Sequence, residues 1–101
     1  MCSSLNGANE IIATRVVTVG LVNQSQVHPR EVFADPITDR AAGIIVAHNH
    51  PAGSVKPSNA DRKITVRLRE AGDLLGIRLV DHLIFNHQEY FSFAEHRLLE
   101  P

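Results

Sequence analysis

The chain has 101 residues, of which 44% are hydrophobic and 21% are charged, with 10 Lys and Arg residues against 11 Asp and Glu residues. This length fits one small domain, which hides only about two-thirds of the surface that the unfolded chain exposes. A single cysteine excludes an internal disulfide and a metal site built from several thiolates, and a net charge of −1 does not provide the basic surface typical of nucleic-acid-binding proteins.

No apolar run approaches the ~20 residues that cross a bilayer. The first ten residues, MCSSLNGANE, do not combine a charged segment with an apolar one, as a secretory signal would. We therefore expect a cytoplasmic protein without a membrane partner.

The first third of the chain predicts a hairpin and a helix. Residues from Glu10 to Gly20 are rich in β-branched side chains and indicate a strand after a turn at Asn6-Gly7. The preceding arm, Met1 to Leu5, is too short to pair well with an 11-residue partner. Pro29 opens a helix over residues 29–34, which Pro36 kinks or restarts.

The remainder predicts a strand, a long helix and a terminal hairpin. The apolar run Gly43 to Ala47 indicates a central strand covered on both faces, and a Pro- and Gly-containing loop follows at 51–57. Apolar residues spaced by four, three and four predict a helix from Ser58 to Leu75, which Gly76 ends. The last predicted elements are a strand over 78–85, a turn over 86–89, a short strand over 90–93 and a brief helix over 94–99.

These elements follow the order strand, strand, helix, strand, helix, strand, strand. That order and the fully apolar middle strand indicate an α/β domain with a mixed sheet between helices. No internal repeat or linker divides the sequence, so we expect a single domain over residues 1–101.

Six histidines are the unusual feature of the composition, and two of them share a strand end. Side chains two residues apart on a strand point to the same face, so His48 and His50 converge. Catalytic zinc typically takes three protein ligands, nitrogen and carboxylate oxygen among them, and a water. Asp61, in the first turn of the following helix, is the candidate third ligand. His48, His50, Ser58 and Asp61 at these spacings recur by chance about once in a hundred thousand starts.

A structural interpretation of part of this pattern stays open. Ser58 followed three residues later by Asp61 is also typical of a helix N-terminus, where the serine caps the helix and the acid favours its dipole. A single strand histidine is more often a packed side chain than a ligand. The two histidines, the loop and an aspartate at this spacing together favour a metal site.

The motif resembles the JAMM (MPN+) metalloprotease motif in the form carried by bacterial RadC-family proteins. The resemblance extends from about Leu5 to Leu99. The matching segments are His48 to Gly53, Pro57-Ser58 with Asp61, Val27 to Phe33, Leu68 to Ala71, Leu75 to Ile77, Val80 to Ile84 and Tyr90 to Phe93.

The resemblance implies a cytidine-deaminase-like JAMM/MPN fold in three layers, with Zn²⁺ held by His48, His50 and Asp61 and a water in the fourth position. It further implies metal-assisted hydrolysis of a peptide or isopeptide bond, with Ser58 stabilising the tetrahedral intermediate. The substrate is then a peptide or protein that the sequence does not identify. A nucleobase deaminase, which shares the implied fold, is disfavoured because the His-x-Glu and Pro-Cys-x-x-Cys elements are absent.

The sequence departs from the family pattern at the general base. JAMM proteins place a glutamate near the start of the first strand, which is represented here only by Met1 to Leu5, without an acid. Glu31 is a weaker candidate beside the metal, its alternative being a solvated first-turn acid. We expect a chain that lacks its first helix and part of its first strand. The alternative function is an inactive metal-binding module that engages a protein or DNA partner in a DNA-repair-associated context.

The remaining polar residues divide between structural and peripheral roles. Asp81 and His82 are adjacent on a strand and are predicted to have a structural role or to support a metal ligand from behind. Basic residues on the motif helix allow nucleic acid contact, which the net charge does not support. We interpret His28, His87 and His96 as surface residues and Cys2 as inert. The basic residues are Arg62, Lys63, Arg67 and Arg69.

Overall fold

The computed structural model describes residues 1–15, 29–50 and 54–99. Five strands and two helices lie in these ranges, in the predicted order. They are β1 (Cys2–Leu5), β2 (Ile11–Arg15), α1 (Pro29–Thr38), β3 (Gly43–Asn49), α2 (Asn59–Leu75), β4 (Arg78–Phe85) and β5 (Tyr90–Ser92). None of the helices in these ranges combines the length and apolar character needed to cross a membrane.

The strands form one mixed sheet in the order β2-β1-β3-β4-β5. The neighbours β3 and β4 are parallel and joined through α2, while the pairs β1 with β2, β1 with β3 and β4 with β5 are antiparallel. The apolar run at 43–47 is therefore the central strand, as its composition predicts. The carboxyl end of β3 leads through a short loop into the start of α2, as is usual in parallel β-α-β units.

The N-terminal hairpin corrects one expectation. All four residues of β1 pair with β2, and the same four residues pair with β3 on the other side. The short arm is stabilised because it lies inside the sheet and does not depend on the hairpin alone. The rest of the predicted strand, residues 16–20, lies outside the described residues, as do residues 51–53 of the predicted loop.

Helix α1 begins at Pro29, as predicted, and continues through Pro36, so it does not restart there. Pro36 has no N–H to donate to the carbonyl of Val32, four residues earlier. The thiol of Cys2 donates to that carbonyl at 3.9 Å, and Pro36 itself is buried. A side chain from β1 thus occupies the acceptor that the proline leaves open.

The predicted C-terminal helix is wrong, because residues 94–97 form turns. The amide of Ala94 donates to the carboxylate of Asp81 and the amide of Glu95 to the hydroxyl of Ser92. Arg97 has a φ of 57°, in the left-handed region. The side-chain bonds would be compatible with the first turn of a helix, but the left-handed residue stops the chain after these turns, since a right-handed helix needs a negative φ.

Both described helices contribute to one hydrophobic cluster with β1, β3 and β4. Its buried members are Cys2, Val32, Phe33, Ala41, Ile44, Ile64, Leu68, Ile77 and Leu79. A second cluster contains Val55, Ile84 near the end of β4, and Phe93, which follows β5. The mixed α/β sheet is as predicted, and the three-layer arrangement stays a prediction.

An irregularity in the pairing of β3 with β4 decides which side chains face the helices. Ile44 lies opposite Leu79, but Ile45 lies opposite Asp81, so the register skips Val80. Because side chains alternate along a strand, this bulge brings His82 to the face of His48 and turns Asp81 to the other face.

Candidate metal centre

Three predicted ligands converge where β3 ends and α2 begins. His48 lies near the end of β3, His50 follows that strand, and Asp61 lies in the first turn of α2. Their candidate ligand atoms all lie within 4.8 Å of one another, and this group could hold a metal ion. The predicted spacing therefore brings the three side chains together in space.

Distances among the three side chains fit a small cation. Nε2 of His48 lies 2.9 Å from Nε2 of His50 and 3.3 Å from Oδ1 of Asp61, and Nε2 of His50 lies 3.8 Å from Oδ2 of Asp61. Ligand atoms of a tetrahedral zinc ion with bonds of about 2.0–2.1 Å lie about 3.3 Å apart. The two nitrogens and the carboxylate also form a donor set that zinc accepts.

Asp61 shows the clearest sign of a missing positive partner. The residue is 0% exposed, and its Oδ1 is buried without a hydrogen-bond partner among the described residues. Leaving a buried carboxylate oxygen unpaired is costly, and a cation beside it removes that cost. The residues present thus fit a divalent metal.

Ser58 holds the other end of Asp61 in place. Its Oγ accepts the amide of Asp61 at 3.1 Å, while Oδ2 of Asp61 accepts the amide of Ser58 at 2.7 Å, which makes a complete capping box. The structural interpretation of this pair is therefore correct. It does not exclude a ligand role for Asp61, because the box uses Oδ2 and leaves Oδ1 beside Nε2 of His48.

His82 and Thr65 lie behind the cluster. Nδ1 of His48 is 2.9 Å from Nε2 of His82, and Nδ1 of His82 is 2.6 Å from Oγ1 of Thr65. The ring of His82 stacks on Phe93 at 4.8 Å between centroids. Thr65 was not singled out by its sequence pattern, although a polar residue four positions after Asp61 on a helix lies on the same face.

Burial keeps the inner histidines neutral. Loss of solvation and, to a smaller extent, the neighbouring His48 lower the pKa of His82 to about 4. Loss of solvation also lowers the pKa of His48, against the opposing effect of the Asp61 carboxylate. Neutral imidazole is the form that binds a metal, so this environment favours ligation.

The other predicted residues lie away from the three ligands. Asp81 accepts three hydrogen bonds around β5 and is not directed at the cluster. Glu31 is exposed in the first turn of α1 and is not part of the group, in agreement with its solvated interpretation. His87 is exposed in the turn before β5, and His96 stacks on Phe91. His28 lies outside the described residues.

Comparison of the sequence with known proteins identifies a family that it matches. A family model described as a RadC-like JAB domain matches residues 1–98. A UPF0758 protein of Methanospirillum hungatei is 60% identical over 85 residues, which are 84% of this chain and 38% of the relative. A UPF0758 protein of Chlorobaculum parvum is 48% identical over 95 residues, which are 94% of this chain and 43% of the relative.

The UPF0758 protein YeeS of Escherichia coli strain K12 is also similar. It is 50% identical over 95 residues, which are 94% of this chain and 64% of that protein. The chain therefore spans less than two thirds of the length of each of these three relatives.

Proposed function

Because the chain belongs to the RadC-like JAB domain family, we propose that it binds zinc through His48, His50 and Asp61 and hydrolyses an amide bond of a peptide or protein. The observation that carries the proposal is Oδ1 of Asp61, which is buried, has no hydrogen-bond partner in the part of the chain that the structure describes, and lies 3.3 Å from Nε2 of His48. A divalent cation between the carboxylate and the imidazoles resolves this arrangement. The three-layer JAMM/MPN fold is part of the proposal.

Ser58 is the proposed residue that contacts substrate. When bound, zinc supplies a Lewis acid that polarises the scissile carbonyl and lowers the pKa of a water. The oxygen of Ser58 accepts the amide of Asp61, so its own O–H is not used in the capping box. The residue is exposed beside the ligands, where this O–H can donate to a carbonyl oxygen that gains negative charge.

The proposed hydrolysis also needs a general base. Among the described residues, no glutamate belongs to the ligand cluster. Strand β1 is antiparallel to β3 with Cys2 opposite Val46, and the nitrogen of Met1 donates to the carbonyl of Ala47. The start of β1 therefore lies beside the end of β3 that carries His48, where the proposed hydrolysis needs its base.

The alternative function is a metal-binding module that does not hydrolyse and that engages a protein or DNA partner. It is favoured by the missing glutamate in the described part of the cluster. In this alternative, zinc stabilises the junction of β3 with α2, and Ser58 acts only as the helix cap.

Metal analysis tests the first step. Protein purified without chelators or a polyhistidine tag is expected to contain one equivalent of zinc, which His50→Ala removes. His87→Ala is the matched control, because His87 is exposed and lies outside the cluster. A wild-type protein without zinc, or zinc retained in His50→Ala, would contradict the metal site.

Cleavage of a quenched peptide library separates the two functions. The hydrolase predicts cleavage by the zinc-loaded chain that is lost in His50→Ala and kept in His87→Ala. One equivalent of zinc without cleavage of any peptide favours the module.

A further inference from the structure

A buried chain of hydrogen bonds links two of the proposed ligands through residues that do not touch the metal. It runs from Nδ1 of His48 to Nε2 of His82 at 2.9 Å, and from Nδ1 of His82 to Oγ1 of Thr65 at 2.6 Å. The Thr65 hydroxyl then donates to the backbone carbonyl of Asp61 at 2.7 Å. Thr65 is 2% exposed and His82 is 1% exposed, so water does not compete for the two bonds of Thr65, and the bond of His82 with His48 is partly buried.

One fixed acceptor sets the direction of every bond in this chain. A carbonyl oxygen only accepts, so the hydroxyl proton of Thr65 points to Asp61. The oxygen of Thr65 is then the acceptor for His82, whose proton must be on Nδ1. Nε2 of His82 is left without a proton and accepts from Nδ1 of His48. A neutral His48 protonated on Nδ1 has its lone pair on Nε2, which faces Asp61.

We propose that Thr65 and His82 are positioning residues that hold His48 in the Nδ1–H tautomer and so present its Nε2 lone pair to the metal. This inference rests on the proposed metal site. The stacking of His82 on Phe93, with 9° between the ring planes, fixes the orientation of the intermediate ring. The partner on the far nitrogen of a metal-bound histidine commonly determines its tautomer and its affinity.

The second histidine ligand lacks such a connection in the described residues. Nδ1 of His50 lies 3.3 Å from the backbone carbonyl of Ser54, in an exposed setting. The buried chain therefore constrains one imidazole, while the other has a longer contact with an exposed loop. Disruption of Thr65 is expected to act on His48 and not on His50.

The tautomers of the metal-free wild-type chain give the first test. Long-range proton–nitrogen NMR spectra near neutral pH are expected to show His48 and His82 with their protons on Nδ1. A proton on Nε2 of His82 would overturn the proposal. This measurement needs neither metal nor activity, so it remains informative if a variant does not fold.

Zinc affinity of two Thr65 variants gives the second test. Thr65→Val keeps the shape of the side chain but removes the acceptor for His82, whereas Thr65→Ser keeps the hydroxyl. With Zn²⁺ alone in competition with a chelator, Thr65→Val is expected to bind about 10–100-fold more weakly than wild type. Thr65→Ser is expected to stay within about threefold.

The outcomes distinguish this inference from the function on which it rests. Equal zinc affinity of Thr65→Val and wild type would overturn the positioning role while leaving the metal site intact. A wild-type chain that binds no Zn²⁺ would overturn the metal site and, with it, both proposals. Circular dichroism of each variant controls for unfolding.

Discussion

The two aspartates near the histidines, Asp61 and Asp81, are bonded in opposite ways. Asp61 is fully buried, and within the described ranges only one of its oxygens has a hydrogen-bond partner, the amide of Ser58. Asp81 uses both oxygens. Its donors are the amide of His82, the amide of Ala94 and the hydroxyl of Ser92, at 2.7, 3.0 and 2.6 Å.

This difference separates a candidate ligand from a structural carboxylate. Asp81 joins β4 to β5 and the turn that follows, and its acceptors are occupied. Asp61 retains an acceptor, Oδ1, that lies 3.3 Å from Nε2 of His48 and has no hydrogen-bond donor among the described residues. Both residues are aspartates close to a histidine in the folded chain, so the unsatisfied oxygen, and not the residue type, identifies the one that suits a cation.

Asp61→Asn is expected to have the largest effect of the substitutions considered. An amide oxygen can still accept the amide of Ser58, but the negative charge and the open carboxylate oxygen are lost. Zinc affinity, measured by chelator competition, is expected to fall on the order of 100-fold or more. The free energy of unfolding of the metal-free protein is expected to change by less than about 1 kcal/mol. Undiminished zinc affinity would show that Asp61 is not a ligand and that the two aspartates do not differ in this way.

Asp81→Ala is expected to show the opposite profile. It leaves the amide of His82, the amide of Ala94 and the hydroxyl of Ser92 without their acceptor. Urea denaturation of the metal-free protein is expected to show a loss of about 2 kcal/mol. Zinc affinity is expected to stay within about threefold of wild type.

Asp73→Ala is the matched control for Asp81→Ala, because Asp73 is exposed on α2. Its effect is expected to be within about 0.5 kcal/mol. An Asp81→Ala protein as stable as the Asp73→Ala protein would show that Asp81 has no structural role.

Ser58 variants test whether this residue acts only as the helix cap that holds Asp61 or also contacts substrate. Ser58→Ala removes the helix cap and is expected to lower the free energy of unfolding by about 1 kcal/mol, whereas Ser58→Asn restores a capping side chain. If the hydroxyl contacts substrate, both variants lose amide cleavage. Recovery of cleavage together with stability in Ser58→Asn would mean that Ser58 acts only as the cap.

Much of the fold follows from local signals in the sequence. The strand over 78–85 has the predicted bounds, and α2 begins after Ser58 and ends before Gly76. Cap residues, apolar periodicity and β-branched runs act over a few positions, so one sequence is enough to detect them. The helix expected over 94–99 does not form because Arg97 has a left-handed φ of 57°, which no local pattern indicates.

The candidate site also contains some residues that local patterns predict and others that they do not. The side chains of His48, His50 and Asp61 belong to one strand–loop–helix unit, so their spacing predicts that they meet. The role of His82 depends on the bulge at Val80 between β3 and β4, and no local pattern indicates that bulge. Without it, regular alternation would bring Asp81 to the face of His48. The contact of Thr65 with His82 depends on the same register.

Cys2 contrasts with both aspartates, because its buried thiol accepts no hydrogen bond from the described residues, and its effect on stability at neutral pH is the smallest of those considered. Burial raises the pKa of the thiol from its ordinary value of 9.0 to about 11. In its contact with the carbonyl of Val32, at 3.9 Å, Sγ is the donor, so this bond does not stabilise the thiolate. Between these two values the unfolded chain has lost a proton that the folded chain keeps. The free energy of unfolding is therefore unaffected below pH 9 and falls as the pH rises towards 11.

The reactivity of the thiol measures the same shift. At pH 8 the folded chain contains about 100-fold less thiolate than the unfolded chain, so iodoacetamide is expected to modify it more slowly by a factor on the order of 100. Mass spectrometry of samples with and without urea follows the reaction at the single cysteine. Equal rates in the two conditions would show that the thiol is exposed and that β1 does not hold it beneath α1, since only a buried thiol lacks the solvation that its ionised form needs.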